Sequence, residues 1–142
     1  MQPIKKISSI IIIVGVIVTI LFSINNLVVS NDPSVILEQI EFDAVFLENE
    51  HIVEISFKDL NNNTKSAVLE ILGMDITYHK EYIFENNSQF VEKMNLEKIP
   101  TYGWKTTPVT LEIQHSQFGN IGLKTEIHEL GESKPRIILE QK

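Results

Sequence analysis

The sequence predicts an all-β fold, an antiparallel two-sheet β-sandwich, preceded by one N-terminal transmembrane helix. Three observations support this prediction: an uncharged stretch between Lys6 and Asp32, alternation of apolar and polar residues beyond it, and turn-forming clusters at regular spacing. The length of 142 residues suits a single folded domain. We therefore divide the chain into residues 1–30, a cytoplasmic stub and anchor, and residues 31–142, an extracytoplasmic domain.

The apolar segment, residues 7–29, contains no charged side chain and is rich in Ile and Val. As a helix it would be about 35 Å long, enough to cross a hydrocarbon core of about 30 Å. Lys5 and Lys6 flank one end of the segment, while Asp32 begins an acidic remainder. Because the cytoplasmic ends of membrane helices carry excess positive charge, we expect the N-terminus inside and residues 31–142 outside the cytoplasmic membrane.

Two other interpretations of this segment are open. Residues 28–30 resemble the end of a cleaved secretory signal with Lys5 and Lys6 as its basic part, in which case residues 31–142 are secreted. A pilin-type leader would be cut just before the helix, but Ile7 replaces the small residue that such processing uses. The anchor and the signal interpretations both place residues 31–142 outside the cytoplasm.

Beyond the anchor, alternation replaces helical periodicity. In the first segment, every second position is an apolar residue: Ile40, Phe42, Ala44 and Phe46. The predicted strands are residues 40–47, 53–58, 67–72, 76–78, 82–84, 90–96, 109–114, 121–128 and 137–139, with turns at 48–50, 61–64, 85–88, 116–120 and 131–135. Residues 89–96 also suit a short helical turn. One apolar face on each strand predicts two sheets packed face to face.

The register of these strands predicts where single side chains point. His115 faces inward at the end of its strand, whereas Glu70 and His128 face solvent.

Composition excludes several classes of function. Residues 31–142 carry ten basic and nineteen acidic side chains, a net charge of −9, which repels phosphate backbones, so we expect no nucleic-acid partner. The absence of Cys excludes a disulfide framework, a Cys nucleophile and thiolate metal sites. No Gly-x-Ser-x-Gly, glycine-rich phosphate loop or His-Glu-x-x-His motif occurs, so the sequence predicts neither an enzyme nor a cofactor.

One loop carries the oxygen spacing of a calcium site. Asp59, Asn61 and Asn63 occupy alternate positions, and Glu70 follows Asp59 by eleven residues, as in a Ca²⁺-binding loop. Thr64 stands where that loop requires Gly, and a strand rather than a helix precedes it. The alternative is a hairpin loop, in which Asp and Asn are favoured for backbone reasons.

A second candidate metal site consists of Met74, His79, Met94 and His115, because thioether and imidazole ligands suit Cu(I). No compact His-x-His or Met-x-x-Met spacing supports it, and the alternative is that these are separate structural or solvated side chains. An extracytoplasmic metal-binding protein, using either set, is therefore the second functional hypothesis.

The segment of residues 102–107 interrupts the strand pattern between two prolines. Tyr102, Trp104 and Lys105 are candidates for partner contact, because Trp and Tyr are over-represented at binding hot spots. Trp104, the only Trp in the chain, has an alternative role as a plug over one end of the sandwich.

The plan of one membrane helix followed by a Cys-free acidic sandwich resembles the immunoglobulin-like or fibronectin-III-like ectodomains of microbial envelope proteins. The resemblance covers residues 35–142 at the level of strand pattern, and archaellum stator proteins and pilin-like proteins share the same plan. The Cys…Trp…Cys spacing of true immunoglobulin domains is missing, as is a Tyr in residues 109–115. Lys outnumbers Arg eleven to one, and this composition resembles that of proteins from a low-GC prokaryote or an archaeon. The resemblance implies a single-pass, non-enzymatic interaction module that binds another envelope protein or serves as an accessory subunit of a membrane complex.

Overall fold

The computed structural model describes residues 33–74, 77–96 and 98–141. The apolar segment, with its anchor, signal and leader interpretations, lies outside the described residues. No helix within the described residues is both long enough and apolar enough to cross a bilayer.

The described residues form a β-sandwich of two sheets, as the alternation predicts. The strands are β1 (Ile40–Leu47), β2 (Ile52–Asp59), β3 (Thr64–Ile71), β4 (Tyr78–Ile83), β5 (Gln89–Asn95), β6 (Pro108–His115), β7 (Gly119–Glu126), β8 (His128–Glu129) and β9 (Ile138–Gln141). Sheet 1 has the order β5-β2-β1-β8, and sheet 2 has the order β4-β3-β6-β7-β9. Every pairing is antiparallel except the short one between β1 and β8.

Hairpins supply the local pairings, and the chain then crosses between the sheets. In sheet 1, β1 and β2 form a hairpin in which Leu47 lies opposite Ile52. In sheet 2, the β3–β4 and β6–β7 hairpins are joined through β3 and β6, with Ile71 opposite Val109. The chain changes sheet in five connections: β2–β3, β4–β5, β5–β6, β7–β8 and β8–β9.

A short helix, α1 (Pro33–Gln39), directly precedes β1. Pro33 begins it, a position where a fixed φ and a missing N–H cost nothing. Ile36 is fully buried in the core, and the Gln39 carbonyl accepts a hydrogen bond from the Leu60 N–H at 2.9 Å. The sequence pattern does not predict this helix, because seven residues are too few to show helical periodicity.

The core lies between the sheets and is formed by the inward residues of the long strands. Burial of each large aliphatic or aromatic side chain contributes about 1.5–3 kcal/mol, so these positions supply most of the driving force for folding. The largest fully buried side chains are Phe42, Phe46, Phe57, Ile36, Ile55, Leu69, Ile71, Leu111, Ile121, Leu123, Val53 and Val109.

Several local expectations differ from the structure. β4 is one strand where the pattern predicts two segments, residues 76–78 and 82–84, although Ile76 itself lies outside the described residues. Residues 89–96 belong to strand β5 up to Asn95, not to a helical turn. The predicted strand 121–128 is divided, because the chain leaves sheet 2 after Glu126 and joins sheet 1 at His128. His128 is consequently buried rather than solvent-facing, and its Nε2 lies 3.0 Å from Oδ1 of Asp43.

Candidate interaction surface

The loop that resembles a calcium site is organised by the Asp59 carboxylate. Asp59 is buried at the end of β2, and its Oδ1 accepts a hydrogen bond from the Asn61 N–H at 2.9 Å. Its Oδ2 accepts three more at 2.8 Å, from the Asn63 N–H and from the N–H and hydroxyl of Thr64. The carboxylate therefore satisfies the loop's own donors, as Asx-type turns do. The loop crosses from sheet 1 to sheet 2 and is not the hairpin that the alternative interpretation expects.

Glu70, the fourth residue of the predicted calcium set, lies far from this loop. It follows Thr64 by six residues along β3, which at the rise of a strand is about 20 Å. Its Oε1 lies 3.0 Å from Nδ1 of His79 on the outer face of sheet 2, and this hydrogen bond raises the pKa of His79. The structure thus does not bring Glu70 together with Asp59 and the two asparagines.

His115 is buried beside Asp59, although the sequence places the two in different candidate sites. Its Nδ1 accepts hydrogen bonds from the N–H groups of Gln117 and Phe118, both at 3.2 Å, so in the neutral ring the proton is on Nε2. Nε2 lies 3.4 Å from Oδ2 of Asp59. Burial lowers the pKa of His115, and the Asp59 carboxylate offsets only part of that effect. His115 therefore closes the β6–β7 turn as a neutral side chain.

The four residues of the predicted copper set lie in different parts of the sandwich. The strand positions opposite His79 and His115 are six residues apart on β3, so the two imidazoles are separated by about 20 Å. Met94 lies on β5 in sheet 1, and Met74 follows β3 in sheet 2. Within the described ranges, no group of three or more His, Asp or Glu side chains is placed to hold a metal ion.

A polar cluster that the sequence pattern does not reveal joins β4 to β5. Glu92 accepts hydrogen bonds from the hydroxyls of Tyr78 and Tyr82, both at 2.7 Å, and from the Lys80 ammonium at 2.6 Å. The ring of Tyr82 stacks on Phe90 with centroids 4.0 Å apart. Lys80 faces inward on β4, an edge strand, and an inward-facing charge there hinders pairing with a further strand. The cluster therefore blocks strand addition on this side of the sandwich.

The hydrogen bonds of the Glu92 cluster fix its protonation states. Burial by itself raises the pKa of Glu92, but the hydrogen bonds from Lys80, Tyr78 and Tyr82 outweigh it and hold that pKa below its ordinary value. Burial, together with the hydrogen bond to Glu92, raises the pKa of Tyr78 to about 12 and also raises the pKa of Tyr82. At neutral pH the cluster is therefore one carboxylate held by three protonated donors, a structural tie between the sheets.

One end of the sandwich exposes large apolar side chains. Tyr102 is 84% exposed and Ile99 is 50% exposed, both on the segment that leads into β6. Leu72 lies at the same end, because its N–H donates to the Pro108 carbonyl at 3.1 Å, and it is 38% exposed. We call Leu72, Ile99 and Tyr102 the apolar end.

Trp104 lies at the same end but is half-buried. It begins a 3₁₀ turn, Trp104–Thr106, and its ring centroid lies 4.8 Å from that of Phe46 in the core. This packing is that of a plug over the end of the sandwich, one of the two roles that the sequence leaves open. Lys105, the next residue, is exposed.

A groove of about 810 Å³ lies between α1 and the β7–β9 pair. Its apolar lining includes Leu37 and Leu139. Its charged lining consists of three cations and one carboxylate: Lys105, Lys124, Arg136 and Glu126. β9 is the edge of sheet 2 opposite to β4, so the groove and the Glu92 cluster lie on different sides of the domain. The sequence gives no signal for this groove, because its residues come from four separate segments.

No protein-family model, curated protein or solved structure matches the chain.

Proposed function

We propose that the chain is a single-pass, membrane-anchored module whose β-sandwich lies outside the cytoplasm. There it binds another envelope protein or serves as an accessory subunit of a membrane complex, without catalysis. Residues 7–29 anchor it in the lipid bilayer, with Lys5 and Lys6 on the cytoplasmic side. The observation that carries the proposal is the charge distribution: all nineteen acidic residues follow the uncharged segment, and both basic residues of the first thirty precede it.

The strand order supports a comparison with immunoglobulin-like ectodomains. Strands β5-β2-β1 face strands β4-β3-β6-β7. With the first seven strands lettered A, B, C, C′, E, F and G, this order matches the A-B-E and C′-C-F-G order expected for a fibronectin-III-like sandwich, to which β8 and β9 each add an edge strand. Such sandwiches host many functions, so the order supports the proposed type of module and leaves its partner to the surface.

The apolar end supports protein contact as the activity. Leu72, Ile99 and Tyr102 are exposed at one end of a domain whose net charge is acidic. Large apolar side chains exposed at one end of a domain favour an interaction site there, and Tyr is among the residues enriched at the centre of interfaces. Trp104 packs on Phe46 and so restrains the segment that carries Tyr102. This restraint limits the conformational entropy that the segment loses when a partner binds.

The absence of Cys allows a direct test of topology. Asn49, in the exposed β1–β2 turn, and Gln2, near the N-terminus, are each changed to Cys in the full chain. In intact cells a membrane-impermeant maleimide should label Asn49→Cys, and it should label Gln2→Cys only after the membrane is permeabilised. Labelling of Gln2→Cys alone in intact cells would overturn the proposed orientation.

The same experiment separates the anchor from a cleaved signal. If the segment is retained, Gln2→Cys stays in the membrane fraction with the full-length mass. Release of a shorter chain that lacks the introduced thiol would establish cleavage and remove the anchor from the proposal.

A photo-crosslinking amino acid tests the contact surface. Placed at Tyr102 in native membranes, it should yield a defined protein adduct, whereas the same group at Gln114, an exposed position on the outer face of sheet 2, should not. The adduct should weaken when Ile99 is changed to Ser. Equal adducts at Tyr102 and Gln114, or none at either, would refute the apolar end as the contact site.

A further inference from the structure

The groove between α1 and β9 concentrates unpaired positive charge on an acidic domain. Lys105, Lys124 and Arg136 line it, and none of them makes an ion pair with a described residue. By contrast, Lys80, Lys93 and Lys134 each lie within 4 Å of a carboxylate. The groove lining also includes one carboxylate, Glu126, so its three cations leave an excess of positive charge. On a chain with nineteen acidic residues, such a surface, whose cations have no carboxylate partner among the described residues, is complementary to an acidic partner.

The groove also follows an incomplete strand edge. β9 pairs with Ile121–Lys124 of β7, and the described ladder ends there, although β7 continues to Glu126. Thr125, which lines the groove, is 2% exposed, and its hydroxyl has no hydrogen-bond partner among the described residues. An extended segment lying in the groove, between Thr125–Glu126 of β7 and residues 135–137, would pair with the part of β7 that β9 does not reach, as in strand addition.

Apolar side chains complete the groove. Its lining includes Leu37 of α1, Ile137 just before β9, and Leu139 within β9, and Ile138 is 53% exposed. An extended peptide presents alternate side chains to opposite faces. A segment in which acidic and apolar residues alternate could therefore direct carboxylates to the cations and apolar groups to this lining.

We propose that this groove binds an extended acidic segment of a partner protein, with carboxylates facing Lys105, Lys124 and Arg136. The inference rests on the proposed function, because the partner supplies the segment, and it adds the chemistry by which the partner is recognised. The observations favour a polypeptide over an anionic lipid headgroup, since an incomplete strand edge offers backbone hydrogen bonds that an extended chain can complete.

The test uses the full chain in neutral detergent micelles. A fluorescein-labelled peptide of alternating Glu and Val is the probe, and a peptide of alternating Lys and Val is its control. Fluorescence polarisation should show binding of the acidic peptide alone, and added salt should weaken it, because exposed ion pairs are screened. Equal binding of the two peptides would overturn the proposal.

Charge reversal locates the site. The triple variant Lys105→Glu, Lys124→Glu, Arg136→Glu should bind the acidic peptide at least about tenfold more weakly than the natural chain does, because three exposed ion pairs are lost. The matched control reverses three other exposed cations that make no ion pair with a described residue, Lys58, Lys65 and Lys98, and it should bind as the natural chain does. Equal losses in the two triple variants would point to net charge and refute the groove.

Two further measurements cover a groove variant that fails to fold and a lipid headgroup as the occupant of the groove. If the groove triple variant does not fold, as judged by circular dichroism, the single variants Lys124→Gln and Arg136→Gln should each still weaken binding. Displacement of the peptide by phosphatidylglycerol added to the micelles would identify a lipid headgroup as the occupant and overturn the peptide proposal. Failure of peptide binding leaves the labelling at Asn49→Cys and the crosslinking at Tyr102 unaffected, so failure of this inference and failure of the proposed function are distinguishable.

Discussion

The ammonium nitrogen of Lys80, on β4, lies 2.6 Å from a carboxylate oxygen of Glu92, on β5, and this charge-assisted hydrogen bond joins the edge strands of the two sheets. With the two tyrosine hydroxyls, it makes one side of the sandwich a closed, polar seam. The opposite edge of sheet 2 is formed by β9, a strand of four residues beside the groove. The fold is therefore asymmetric, and its open side is the one that can accept a further extended segment.

Changing Glu92 to Gln should reduce the free energy of unfolding by about 1–2 kcal/mol, because three donors lose a charged acceptor. Urea unfolding of the full chain in neutral micelles, followed by the fluorescence of Trp104, measures it. The pKa of Glu92 is lowered in the folded state, so its contribution is complete above the ordinary value of 4.5 and is lost as pH falls through the lowered pKa. Glu48→Gln, in an exposed turn, is the control and should leave stability unchanged.

The tyrosines of the Glu92 cluster should ionise late in an alkaline titration. In a Tyr102→Phe background only Tyr78 and Tyr82 remain, so ultraviolet absorbance reports the cluster alone. Tyrosinate should appear only near pH 12, because burial and the bond to Glu92 raise the pKa of both hydroxyls. Adding Glu92→Gln should move the transition toward the ordinary value of 10.0. A transition at that value without the second change would contradict the cluster.

His115 should make stability fall with acid. Its pKa is lowered by burial, so the unfolded chain takes up a proton that the folded chain refuses. The contribution of neutral His115 is thus complete above pH 6.5 and is lost as pH falls toward the lowered pKa. His115→Gln should flatten the dependence of unfolding free energy on pH in this range. His51→Gln, at an exposed position in the β1–β2 turn, is the control and should leave the slope as it is.

Asp59→Asn should reduce the free energy of unfolding by about 2–3 kcal/mol, because four hydrogen bonds converge on the buried carboxylate and the amide cannot accept all of them. Calcium should not change the unfolding of the natural chain, since the carboxylate oxygens are already engaged by loop donors. A rise in unfolding midpoint on adding Ca²⁺, reversed by a chelator, would contradict this account of the loop.

Alternation predicted the strands well because one face of each is buried. In β1 the buried positions are Ile40, Phe42, Ala44 and Phe46, which are the apolar residues of the pattern. The pattern was less informative where burial does not alternate. It predicts two segments for β4, because Lys80 faces inward toward Glu92 and breaks the apolar period.

The candidate site depended on contacts that no local pattern contains. Asp59 meets His115 only because Thr64 lies opposite His115 in the β3–β6 pairing. Sequence spacing instead linked Asp59 to Glu70, which the strand between them carries to the other end of sheet 2. The Glu92 cluster likewise joins strands of different sheets, so its distances depend on how the sandwich closes.

At Gly73, which follows β3, the backbone lies close to the backbone of the 3₁₀ turn at the apolar end. It has a φ of +80°, and a Cβ at this position would lie 2.1 Å from the Thr106 carbonyl oxygen, below any van der Waals contact. Gly131 has a φ of +96°, and a Cβ there would meet nothing within 4 Å. Both changes to Ala incur the backbone penalty of a left-handed conformation, about 1–2 kcal/mol.

The difference between Gly73→Ala and Gly131→Ala therefore isolates the steric term. Gly73→Ala should destabilise the chain by about 1–3 kcal/mol more, since overpacking against rigid backbone forces the segment before β6 to shift. Because that segment carries Tyr102, crosslinking from Tyr102 should fall in Gly73→Ala and persist in Gly131→Ala. Equal unfolding free energies for the two variants would mean that the end of β3 and the 3₁₀ turn are not in contact. The segment that carries Tyr102 would then lack the restraint that partner binding requires.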